Sequence, residues 1–88
     1  MKMIITIVRD VDDSRVIDQL VVQGYRVTRL ASTGGFLRRG NVTLLIGVED
    51  DQQVENVIEL LRQTCSPGDA TYHRATVFVV EAEHFEQI

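Results

Sequence analysis

The chain has 88 residues, of which 44 % are apolar and 25 % charged, and its formal net charge is −4. This is the composition of an ordinary globular protein: it excludes a disordered chain, and no apolar run is long enough to span a membrane. The negative balance also argues against a general binder of DNA or RNA, and the length predicts one domain, residues 1–88, that buries only about 60–65 % of its unfolded surface.

In chain order, "KMIITIV" at 2–8 is a β-branched run that predicts a largely buried strand, and it lacks the small-residue cleavage site of a signal peptide. Asp12 or Asp13 is placed to cap a helix with Val16, Ile17, Leu20 and Val21 on one face, and Gly24 closes it. "YRVTRLAST" then reads as a strand, and "NVTLLIGV" alternates more clearly, with Val42, Leu44, Ile46 and Val48 on one face and Asn41, Thr43, Leu45 and Gly47 on the other. Residues 34–40, holding three glycines, join these two strands as a hairpin with a longer loop. Asp50 or Asp51 caps a second helix striped by Val54, Val57, Ile58 and Leu61, which "SPG" at 66–68 stops. "ATVFVVEA" at 75–82 is a last strand, trailed by "EHFEQI".

The order β-α-β-β-α-β with only two helices predicts an α+β, ferredoxin-like domain: one antiparallel sheet with both helices on one face. The opposite face is then uncovered. On the last strand Thr76, Phe78 and Val80 alternate with Ala75, Val77 and Val79, so both its faces are apolar and an oligomer that joins the open faces is expected.

Charge is unevenly distributed. Between Gln19 and Val48 lie Arg26, Arg29, Arg38 and Arg39 and no acid, so that segment carries +4 while the remainder carries −8. Arginine pairs with phosphate in a fork-like geometry, and the basic island coincides with "ASTGGFLRRGN" at 31–41. The glycine pair needs no more than a plain turn, and a bend whose N–H groups form an anion-binding concavity is the weaker reading from the residues alone. Strand parity puts Arg26 with Thr28 and Asn41 with Gly47, and places Arg29 near the helix side unless the strand bulges.

No catalytic set is legible. His73 and His84 lack ligand-spaced partners, and the acids Glu49 to Asp51 read as a helix start rather than a metal site. Cys65 sits at a helix end where the dipole raises a thiol pKa, and with no partner for an internal disulfide it points to a reducing cytoplasm. The loop "RDVDDS" has no Cys-x-x-Cys, as a copper chaperone would need, and the first and third strands lack the stacking aromatics of an RNA-recognition domain. An amino-acid-binding regulatory domain stays open. No enzyme activity, cofactor or metal is expected.

Taken together, "RVTRLASTGGFLRRGNVTLLIGVED" at 26–50, the opening "MKMIITIVRD", the helix ending in Cys65 and the closing "ATVFVV…FEQI" resemble the PII-like cyclic di-AMP receptor family over nearly the whole chain, 66–74 apart. The resemblance implies a homotrimeric signalling protein that holds the nucleotide in clefts between subunits, with an unknown downstream protein partner. By position, Arg26 and Thr28 would meet an adenine or its ribose. Gly35, Phe36 and Leu37 would offer backbone groups and an apolar wall, Asn41 a hydrogen bond, and Gly47 close approach, while Phe78 and Gln87 would close the cleft. Two departures stand out. "SPGDATYHR" replaces a longer Gly- and Pro-rich loop, and Gly24 stands where many members have asparagine. The long tyrosine-bearing loop of PII proteins that bind ATP is missing. A trimeric interaction module that binds another nucleotide, or none, is the alternative.

Overall fold

The computed structural model describes residues 1–30, 40–67 and 73–88. Its elements are β1 (Lys2–Arg9), α1 (Asp13–Val22), β2 (Arg26–Leu30), β3 (Asn41–Val48), α2 (Asp51–Thr64) and β4 (Ala75–Glu81). The four strands form one antiparallel sheet in the order β2-β3-β1-β4. This is the ferredoxin-like α+β arrangement that the element order predicts.

Period-two alternation decides which face is core. Ile4 and Val8 of β1 and Val42, Leu44, Ile46 and Val48 of β3 are buried, and they join Val16 and Leu20 of α1 with Val54, Val57, Leu60 and Leu61 of α2. Each such side chain, fully buried, contributes about 1.5–3 kcal/mol. Thr6 shares that face and is wholly buried. Its Oγ1 donates to the Thr76 carbonyl at 3.0 Å, so the hydroxyl is satisfied inside an apolar layer. Leu60, which the predicted stripe omits, is buried beside Leu61.

The helix ends correct two expectations. Asp12 occupies the position before α1, yet its side chain makes no capping bond; it turns instead to Arg9, Arg15 and Ser66. Val21 is 59 % exposed, because at 100° per residue it has rotated well past the line through Val16 and Leu20. Gly24 closes α1 as expected, with φ +88. Gly24 N–H donates to the Val21 carbonyl and Tyr25 N–H to the Leu20 carbonyl, the two bonds of a Schellman motif. That left-handed position suits glycine. At α2, Asp50 is the cap: its Oδ1 accepts from Gln53 N–H at 2.9 Å, while Gln53 Oε1 accepts from Glu49 N–H at 2.7 Å. Asp51 pairs with Lys2, whose ammonium is held above its ordinary pKa chiefly by that hydrogen bond.

Strand β4 lies at the sheet edge and neither of its faces is fully covered within one chain. Ala75 and Val77 are half-buried against the helices, but Phe78, Val79 and Val80 are all exposed, Phe78 by 53 %. No helix among the described residues is long and apolar enough to cross a membrane.

Candidate functional site

The sheet face turned away from the helices can be read from the strand registers. One row runs Arg26, Gly47, Met3, Val80 from β2 to β4; the next runs Thr28, Leu45, Ile5, Phe78; a third runs Leu30, Thr43, Ile7, Thr76. Beyond them Asn41 stands opposite Arg9. The middle of this face is therefore apolar, while a guanidinium, a hydroxyl and an amide lie toward its margins.

Five residues singled out by sequence, Arg26, Thr28, Asn41, Gly47 and Phe78, thus share one face of one sheet. Gln87 joins them from the tail: Ala82 N–H donates to the Met1 carbonyl at 3.0 Å, and five residues later Gln87 Oε1 accepts from Arg26 Nη1 at 2.8 Å. The C-terminal segment therefore passes from the β4 edge to the β2 edge. Gly35, Phe36 and Leu37 lie outside the described residues, as do Gly34, Arg38 and Arg39.

The residues do not converge on one point within a chain. At about 3.3 Å per residue, Asn41 and Gly47 lie about 20 Å apart along β3. Thr28 and Phe78, three strands apart at about 4.8 Å per strand, are separated by about 14 Å. What the fold offers is a broad face with two polar margins, able to be one wall of a cleft.

Gly47 has ordinary strand φ, so the backbone does not require glycine there. Among the described residues, a Cβ at this position would meet only the Met1 Cε, at 3.7 Å, which is ordinary contact. The small side chain leaves the sheet surface beside Arg26 open to close approach.

Arg29 has the opposite parity to Arg26, and its Nε donates to Asp13 Oδ2 at 2.8 Å at the start of α1. Its charge is engaged on the helix side, as parity predicts. Asp12 is the buried charge that sequence reasoning missed. It is wholly buried, and accepts from Arg9 Nη2 at 3.2 Å, Arg15 Nη2 at 2.6 Å, Ser66 N–H at 3.1 Å and Ser66 Oγ at 2.6 Å. Burial pushes its carboxyl pKa up, but the two Ser66 bonds, the Arg15 bond and the Arg9 charge more than offset this and hold it below the ordinary 3.8. A signal was present in "RDVDDSR": an acid three residues from an arginine on each side. Cys65 is buried next to this group, and burial first, then the Asp12 charge, raises its thiol pKa. That is the opposite of what an activated nucleophile requires.

An antiparallel sheet with one helix-covered face and one face that no described helix covers, rimmed by arginine, amide and glycine, is a ferredoxin-like α+β domain. The profile of the cyclic-di-AMP receptor family matches residues 1–73, and the chain belongs to that family. The matched part holds Arg26, Thr28, Asn41 and Gly47, while Phe78 and Gln87 follow it. A solved structure, described as a functionally unknown protein from Pediococcus pentosaceus ATCC 25745, is 33 % identical over 99 % of this chain and 96 % of that one, with a TM-score of 0.75. That similarity takes in β4 and the tail.

Proposed function

We propose that this chain is a non-enzymatic signalling protein of the cytoplasm that assembles as a homotrimer and binds cyclic di-AMP in the clefts between its subunits. The observation that carries the reading is the open face: family membership supplies the ligand, and the two polar margins lie too far apart for one chain to close around it. A second chain set against this face brings the Arg26 margin of one subunit toward the Asn41 margin of its neighbour and covers the apolar middle. In that cleft Arg26 and Thr28 meet the adenine or its ribose, and Asn41 hydrogen-bonds the ligand. Gly35, Phe36 and Leu37 provide backbone groups and an apolar wall, Gly47 gives close approach, and Phe78 and Gln87 complete the C-terminal side. Apart from Arg29, which Asp13 engages on the helix side, the arginines of the basic island neutralise phosphate charge.

Calorimetric titration of the purified protein with cyclic di-AMP tests the reading directly, with saturable heat at one ligand per subunit as the expected result. Absence of heat from a folded protein would remove the ligand and leave the trimeric interaction module, the reading that the short 66–74 stretch favours. A melting-point panel with ATP, ADP and AMP then identifies any other nucleotide, because a ligand that prefers the folded state raises the melting temperature.

Gly47→Ala separates binding from folding. Glycine within a strand is less stable than alanine by roughly 0.5–1 kcal/mol, and the added Cβ has room in the free chain, so the melting temperature is expected to hold or rise. Cyclic di-AMP affinity is expected to fall at least about tenfold through overpacking. Equal affinity in the variant would place the ligand elsewhere on the face.

A further inference from the structure

The corner between β1 and α1 is hydrogen-bonded to the residue before β3, to β2 and to the stretch that follows α2. Asp10 N–H donates to the Gly40 carbonyl at 2.7 Å, immediately before Asn41, and Arg9 faces Asn41 across the β1–β3 pair. Asp13 holds Arg29 near the end of β2. Asp12 takes the N–H and Oγ of Ser66, just past α2, and Arg9 Nη2 donates to the Ser66 carbonyl and reaches that of Pro67 at 3.4 Å. Arg15 closes the group by donating to both Asp12 and Ser66 Oγ, the latter at 2.7 Å. Arg9 Nε is buried without a hydrogen-bond partner among the described residues, so this guanidinium is held through its Nη2 end.

These contacts have one consequence for the proposed cleft. Gly40, the residue before Asn41, and Ser66 lie far apart in the chain, yet each is hydrogen-bonded to the Arg9–Asp12 segment. Because Asp12 is wholly buried, its oxygens have no water to fall back on, and the loss of one partner must be taken up by the others. We infer that Asp12 and Ser66 are positioning residues, which lock the Arg9–Asp10 backbone and through it hold Gly40–Asn41 in the geometry that the cleft uses. The inference rests on the proposed function only for what Asn41 touches; the mechanical coupling belongs to the free protein.

The test begins without ligand. Amide exchange, followed by NMR on wild type and Ser66→Ala, is expected to show the Asp10 amide exchanging at least about tenfold faster in the variant, with the Leu44 and Ile46 amides unchanged. Ser66→Thr, which keeps the hydroxyl, is expected to restore protection, whereas Ser66→Val, which fills the same space without a hydroxyl, is expected to leave the Asp10 amide as loose as in Ser66→Ala. Asp12→Asn should show the same loosening more strongly, and Ser66→Ala carries the test if that variant does not fold. Wild-type protection of Asp10 in Ser66→Ala would overturn the coupling. In a titration with cyclic di-AMP, Ser66→Ala is expected to bind three- to tenfold more weakly. Unchanged affinity with a loosened Asp10 amide would overturn the positioning role. Failure of the wild type to bind at all would instead count against the proposed function, and the exchange result would still decide the coupling.

Discussion

Arg26→Ala is expected to weaken cyclic di-AMP binding by roughly 10- to 150-fold, the equivalent of about 1.5–3 kcal/mol for a hydrogen bond made by a charged group. The stability of the protein should barely move. Arg26 is exposed, and its bond to Gln87 at 2.8 Å joins two solvent-facing side chains, a kind of contact worth about 0–1 kcal/mol. Affinity and melting temperature measured on the same preparation therefore separate the two roles. The effect has a second part. Because Arg26 anchors Gln87, its removal also frees the tail that crosses from β4, so Gln87→Ala should reproduce a fraction of the loss and add little to Arg26→Ala. Wild-type affinity in Arg26→Ala would take the nucleotide away from the β2 margin altogether.

The parts of the fold that follow from local rules were legible in the sequence. Alternation along "NVTLLIGV" placed Val42, Leu44, Ile46 and Val48 in the core, the glycine at position 24 marked the end of α1, and the pair Asp50 and Asp51 marked the start of α2, where Asp50 is the cap. The opposite parities of Arg26 and Arg29 put one on the open face and the other on Asp13. What depends on contacts between distant segments was not legible. Asp12 reads as a helix cap because caps are local, whereas its partner Ser66 lies 54 residues away and only the fold brings them together. The tail is a similar case: no periodicity in "EHFEQI" indicates that Gln87 reaches Arg26. Nor does composition alone show that Gly47 sits opposite Arg26.

The open face leads to the largest structural effect. Ile5 is at its centre, with Leu45 and Phe78 beside it in the same row and Met3 and Ile7 before and after it on β1. Its side chain points away from Ile4, Thr6 and Val8, so an aspartate there leaves the core of the single chain untouched and costs about 1 kcal/mol or less in strand preference. In an assembly joined through this face the same carboxylate must be desolvated in every subunit, at several kcal/mol each, while about 1.5–3 kcal/mol of apolar burial is lost per copy. Ile5→Asp is therefore expected to reduce the particle mass seen by light scattering from that of three chains to that of one chain of 9.9 kDa, with the circular dichroism of the folded domain retained. Cyclic di-AMP binding should disappear with the trimer, because in the proposed assembly each cleft takes a wall from two subunits. Wild-type mass in the variant would put the seam on another surface, and a monomer that still bound the nucleotide with wild-type affinity would show that one chain forms the whole site.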